Sequence, residues 1–183
     1  GVLTAVCGKY YSMWCVAPTT ADDDSEKEIT QQTTFAGVSV PTNAFQRTLL
    51  DGKTIPSISQ RFLSIIAPMS SLFKAGMCAS FLGYGLTALL ISLRSIFLPE
   101  FVAITSNVNI IYASIYTGVF MAIVSNLRYQ VLQGIIEPYF IDKVRRYPLV
   151  HSVLTFSVRT ANGFLGSLLA IMGMKKLGLQ KLR

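Results

Sequence analysis

The chain has 183 residues, of which 51% are hydrophobic and only 14% charged, against about 25% charged in soluble domains. With a mean hydropathy of +0.49, this balance excludes intrinsic disorder and points to a membrane-embedded, all-α protein. Sixteen Lys plus Arg against nine Asp plus Glu give a net charge of +7, which suits anionic lipid; nucleic acid is set aside as a partner because it leaves the apolar excess unexplained.

Residues 1–18 carry an apolar stretch shorter than the ~20 residues of a spanning helix. They read as the C-terminal part of a first transmembrane helix begun upstream, with Lys9 inside it obliged to snorkel or find a protein partner. Residues 19–57 turn polar. The acidic run Asp22, Asp23, Asp24, Glu26 and Glu28 lacks the glycine turn and distal Glu of a calcium loop and reads as a solvated loop outside the bilayer. Within it, Pro41, Thr42 and Asn43 offer a start for a short helix carrying Phe45 and Leu49. In residues 58–71, Ile58, Phe62, Ile65, Ile66 and Met69 recur at helical spacing with polar residues between them, the pattern of an interfacial amphipathic helix.

Residues 72–97 make the first complete span, with Ala75, Ala79 and Gly83 every fourth residue as a small stripe for close helix approach. A very short connection leads to a second span, 101–124, running back as a hairpin with its own stripe of Ser114, Gly118 and Ala122. Asn107, Asn109, Tyr112 and Tyr116 carry polar atoms that hydrocarbon would not satisfy, so part of this helix faces protein. Residues 126–148 hold Arg128, Glu137, Asp142, Lys143, Arg145 and Arg146, punctuated by Pro138 and Pro148, and read as an interfacial segment. Residues 149–174 are the last span, ahead of a basic C-terminus. The expected fold is an integral membrane helical bundle: three complete transmembrane helices, the end of a fourth, and one interfacial helix. With Lys9 and Arg159 aside, nine of the sixteen basic residues fall on the side of the long loop and five on the other, which turns the nine-charge face toward the cytoplasm or its organellar equivalent.

Arg159 lies about ten residues into the last span, roughly 15 Å deep at 1.5 Å per residue. An arginine at that depth must face inward and hold partners. Asn162 at i+3 shares its side, and with Asn126, Arg128 and Tyr129 it makes an intramembrane polar cluster. Two readings stand: a bonding cluster that fixes helix registry, or the lining of an anion pathway. His151, the single histidine, sits near the start of the last span and has the one imidazole that an axial chlorophyll or haem ligand needs, or is hydrogen-bonded. No phosphate loop, metal-ligand spacing or nucleophile constellation is present, and Cys7, Cys15 and Cys78 form neither a disulfide framework nor a zinc spacing.

The run Ser125-Asn-Leu-Arg-Tyr-Gln130, the run Phe156-Ser-Val-Arg159-Thr-Ala-Asn162 and the run Pro41-Thr-Asn-Ala-Phe45 ahead of Arg61-Phe62 resemble the RETICULATA-related family of plastid membrane proteins. The resemblance covers most of the chain, including Trp14-Cys-Val-Ala-Pro18 as the tail of a first span. It implies a plastid membrane protein of about four spans, usually placed in the envelope, with the nine-charge face toward the stroma; the subunit role expected below places it in the thylakoid instead. The resemblance implies no activity.

The function expected from these features is non-catalytic: a structural or scaffold subunit of a larger membrane complex, with photosystem core and light-harvesting proteins and membrane lipids as partners. No cofactor is required; chlorophyll, carotenoid or lipid is placed only at the periphery. The alternative is a plastid envelope transporter or channel for an anionic metabolite, with Arg159 and Asn162 lining the route.

Overall fold

The computed structural model describes residues 2–17, 33–35, 37–49, 52–98, 100 and 109–179. The acidic run, Asn107, Pro99 in the connection after the first span and the first residues of the expected second span lie outside the described residues.

Helix α1 covers Val2–Val16. Strands β1 (Thr33–Phe35) and β2 (Val38–Val40) pair antiparallel around Gly37, whose φ of +79° is open to glycine without a side-chain clash. This hairpin is a small correction to the all-α expectation. The short helix expected from Pro41 does not form; residues 41–49 are a turn closed by Gln46 N–H donating to the Asn43 carbonyl (3.1 Å). The Asn43 side chain is committed to distant partners instead, described below.

Helix α2 (Ile58–Ile66) opens on a capping box: the Ser57 hydroxyl accepts from the Gln60 N–H while the Gln60 side chain accepts from the Ser57 N–H. The Gln60 amide also donates to the Ser39 carbonyl (2.9 Å), tying α2 to the hairpin. Pro68 divides α2 from α3, Met69–Phe97, because proline lacks the N–H that would continue the helix. The expected boundary at residue 72 thus falls three residues earlier.

The second long helix departs most from expectation. Asn109 does not lie within a span; it is the N-cap of α4 (Ile110–Phe120), its side chain accepting from the Tyr112 N–H (3.2 Å). The helix does not break at Asn126 either. It passes through a wide π-helical turn (Met121–Ser125), helix α5 (Asn126–Val131), a second π-helical stretch (Leu132–Ile141) and a last tight turn (Asp142–Val144). The wide turns accommodate Pro138 inside the run. Asn126, Tyr129 and Gln130 are buried, so the polar residues that read as interfacial face protein.

Helix α6 runs Pro148–Lys176, with proline at its first position. Among the described residues two helical runs are long and apolar enough to cross a membrane, Ile58–Phe97 and Ile110–Val144. Helix α6 is long enough but less apolar, and α1 has only 15 residues. Two candidate spans among the described residues thus stand where three complete spans were expected.

The helices pack with α3 against α4, α1 against α3, and α6 along α4 and the Leu132–Ile141 stretch. Gly76 and Gly118 let α3 and α4 come close. A methyl at Gly118 would lie 2.9 Å from the Phe73 ring and carbonyl, and one at Gly76 would lie 2.8 Å from Met121 Sδ. A small core forms from Val16, Tyr129 and Leu132. From Phe81 outward much of the apolar surface of α3 is uncovered among the described residues: Phe81, Leu82, Leu86, Leu89, Leu90, Ile96 and Phe97 are all exposed.

Candidate functional site

Residues 125–130 are where the elements meet. Successive helical positions point about 100° apart, so a few neighbours address every side. The Asn126 amide donates to the Ile65 carbonyl of α2 (2.7 Å). Tyr129 packs with Val16 of α1. Gln130, fully buried, accepts from the Ala44 N–H (2.8 Å) and donates to the Ser64 carbonyl (3.3 Å). Asn43, also fully buried, donates to the carbonyls of Gln130 (3.1 Å) and Val16 (3.0 Å). The Thr42 hydroxyl adds a bond to the Ala17 carbonyl (2.6 Å). The turn at 42–46 therefore caps the carbonyl end of α1, where helix oxygens lack intrahelical donors.

Arg128 leaves this hub toward α6. Its Nη2 donates to the Asn162 carbonyl and, at 2.6 Å, to the Asn162 Oδ1. Gly166 makes room for it: a methyl there would overlap the guanidinium. Lys9, from α1, lies over the neighbouring Gly163 and donates to Ser167 Oγ (3.1 Å) and the Gly163 carbonyl (3.4 Å). The obligation of Lys9 to find a protein partner is met by α6. Gly163 and Gly166 are three residues apart, a rise of about 4.5 Å, so two cations rest on one glycine-lined face within a turn of each other. Neither has an acidic partner among the described residues. Both line one half-open cavity of about 400 Å³ between α1, α3, α4–α5 and α6.

Arg159 takes another direction. Its Nε and Nη2 donate to the two carboxylate oxygens of Glu137 at 2.7 and 2.9 Å, a bidentate pair that joins α6 to the Leu132–Ile141 stretch. The structure thus divides the expected polar cluster. Asn162 bonds Arg128, not Arg159; Asn126 turns to α2; Tyr129 turns to α1. The anion route expected along Arg159 and Asn162 loses its arginine, whose charge Glu137 neutralises.

The small stripes are placed as follows. Ser114, Gly118 and Ala122 are all buried. On α3 the buried positions are Leu72 and Gly76, one residue round from Ala75 and Ala79; Ala79 instead approaches Gly8 of α1, and Gly83 lines the cavity. The two stripes do not face each other directly. Tyr116 satisfies its hydroxyl on the Ala170 carbonyl (3.0 Å). His151 Nε2 sits 3.1 Å from Asp142 Oδ1, the hydrogen-bonded alternative, so axial ligation through that nitrogen would have to break the pair. Cys7, Cys15 and Cys78 are free thiols.

Three contributors were not singled out from sequence: Asn43 as a cap, Gln130 as its partner, and Glu137 as the counter-ion of Arg159. Asn43 and Gln130 both lie inside runs that carried the family resemblance, the one signal that marked them. Glu137 had none, because it stands 22 residues from Arg159 and outside any helical spacing.

Against known proteins, the family pattern RETICULATA-like, described as Protein RETICULATA-related, matches residues 1–135. Protein RETICULATA-RELATED 4, chloroplastic, of Arabidopsis thaliana is 36% identical over 142 residues, 77% of this chain and 36% of that protein. Protein RETICULATA-RELATED 5, chloroplastic, of the same plant is 27% identical over 179 residues, 93% of this chain and 24% of that protein. The chain thus spans about a third or less of each of these relatives. No solved structure matches.

Proposed function

The chain belongs to the RETICULATA-related family, and from that premise we propose that it is an integral protein of a chloroplast membrane, in the thylakoid or the inner envelope, that works by binding neighbours and not by catalysis. Its proposed role is that of a structural subunit in a larger membrane complex, a photosystem–antenna supercomplex. The observation that carries the reading is the set of exposed apolar side chains on α3 between Phe81 and Phe97, matched on α6 by exposed Phe156, Phe164 and Leu168. Apolar surface of this extent suits lipid tails and other transmembrane helices, not water. The relatives carry the designation chloroplastic, which supports the plastid address.

Alkaline carbonate washing of plastid membranes tests the embedding: the protein stays in the pellet, and release into the supernatant overturns it. Native electrophoresis of thylakoids solubilised in mild detergent tests the assembly. Migration with a chlorophyll-bearing band supports the subunit role, and migration free of every such band overturns it.

A second reading, a carrier or channel for an anionic metabolite, is favoured by the shared cavity of Lys9 and Arg128. Flux of an anion into reconstituted vesicles separates the two: loss of flux on Arg128→Gln supports a route, and absence of flux in the unaltered protein removes it.

A further inference from the structure

The cavity between α1, α3, α4–α5 and α6 holds more cationic donor capacity than the protein uses. A lysine ammonium offers three N–H donors and an arginine guanidinium five. Among the described residues Lys9 makes two hydrogen bonds, to Ser167 and Gly163, and Arg128 makes two, both from Nη2 to Asn162. Arg128 Nε is buried and has no partner among them. Along the cavity, the hydroxyls of Ser12, Thr87, Thr117 and Ser167 are turned back onto carbonyls of their own helices. Two positive groups thus keep donors to spare at one end of the cavity, the arrangement that receives a carboxylate or phosphate by charge-assisted bonds.

The rest of the cavity is too long for a bare ion. Ala79, Gly83 and Thr87 of α3 line it in successive turns, an axial length of about 12 Å. Ala79 lies beside Gly8, at the level of Lys9, whereas Tyr84 reaches toward Met174 near the end of α6 (3.5 Å). Ala170 and Phe120 complete the walls. The cavity thus has a cationic end and an elongated wall of small and apolar residues, and its volume of about 400 Å³ lies within the range of ligand pockets.

We propose that this cavity binds an amphiphilic anion, a carboxylate or phosphate head held between Lys9 and Arg128 with an apolar chain lying along α3 toward Thr87. The proposal does not depend on either reading of the protein's role, since the binding is intrinsic to the single chain.

The test is retention of radiolabelled palmitate by the immobilised full-length protein in mild detergent. Saturable retention is expected, displaced by unlabelled palmitate and by lysophosphatidate but not by methyl palmitate, which keeps the chain and lacks the charge, nor by inorganic phosphate, which lacks the chain. Lys9→Met or Arg128→Gln weakens retention roughly 10- to 100-fold, the worth of a charge-assisted hydrogen bond. Thr87 is exposed where it lines the cavity, so Thr87→Trp obstructs the mouth, leaves both cations in place and should lower retention as well. That variant decides the matter if Arg128→Gln fails to fold. Equal displacement by methyl palmitate, displacement by inorganic phosphate, or retention unchanged in Lys9→Met and Thr87→Trp overturns the proposal. Because isolated protein is used, absence from chlorophyll-bearing complexes leaves this result untouched.

Discussion

The Asn43 side chain donates to the Gln130 carbonyl at 3.1 Å, while the Gln130 side chain accepts from the Ala44 N–H at 2.8 Å. The two residues stand 87 positions apart and neither is exposed to any measurable degree. A polar turn from the first loop is thereby fastened to the middle of the second long helix, and the same asparagine closes the end of α1.

Removing that clasp should destabilise the fold. Asn43→Ala leaves the Val16 and Gln130 carbonyls without their donor, and buried unsatisfied groups cost about 1–3 kcal/mol each. A loss of about 3 kcal/mol is expected in denaturant or thermal melts of the detergent-solubilised protein. Gln130→Ala should cost a similar amount, and the double variant should fall short of the sum, because the pair shares one network. Full additivity would show that the two act separately.

Helix approach at Gly118 gives a sharper contrast. Gly118→Ala forces a methyl against the Phe73 ring and carbonyl, an overpacking worth about 1–3 kcal/mol. Gly85 on α3 meets nothing within 4 Å, so Gly85→Ala should be neutral or stabilising by up to about 1 kcal/mol through helix propensity. Equal melting shifts for the two variants would contradict the close contact.

The Arg159–Glu137 pair is half open: the side chains are 42% and 16% exposed. Arg159→Leu strands the less exposed carboxylate, and about 1–2 kcal/mol of stability should be lost, between the worth of exposed and buried pairs. Arg159→Leu combined with Glu137→Leu should regain most of it. A double variant as unstable as the single one would mean that packing, not charge, sets the effect.

Cys78 is exposed on α3, about 14 Å from the helix start by its nine-residue offset from Met69. In proteoliposomes carrying a variant with Cys7 and Cys15 replaced by serine, a membrane-impermeant maleimide should leave Cys78 unmodified, yet label it after denaturation. Rapid labelling in intact vesicles would place water, not lipid, against this face of α3.

Much of the architecture was readable from periodicity. The end of α1 near residue 16, the start of α2 at Ile58, the extents of α3 and α6 and the buried row Ser114, Gly118 and Ala122 follow from where apolar, small and proline residues recur along a helix. These are local properties, decided within a few turns by propensity and steric fit. The two glycines under Lys9 and Arg128 carried no such sign; they record an approach between distant helices.

The polar residues were legible as a group and misleading as to partners. In sequence, Asn126, Arg128 and Gln130 mark a break, because polar side chains suit an interface as readily as an interior. Only the folded chain, by bringing Ile65, Asn162 and Ala44 to them, makes burial cheaper than exposure and lets the helix run on to Val144. Arg159 likewise had to have a partner at its depth, but which acid would supply it was a matter of two helices crossing. Composition and spacing decided that the chain forms apolar helices; long-range hydrogen bonding and charge pairing decided where the second long helix ends and which cations have no counter-ion among the described residues.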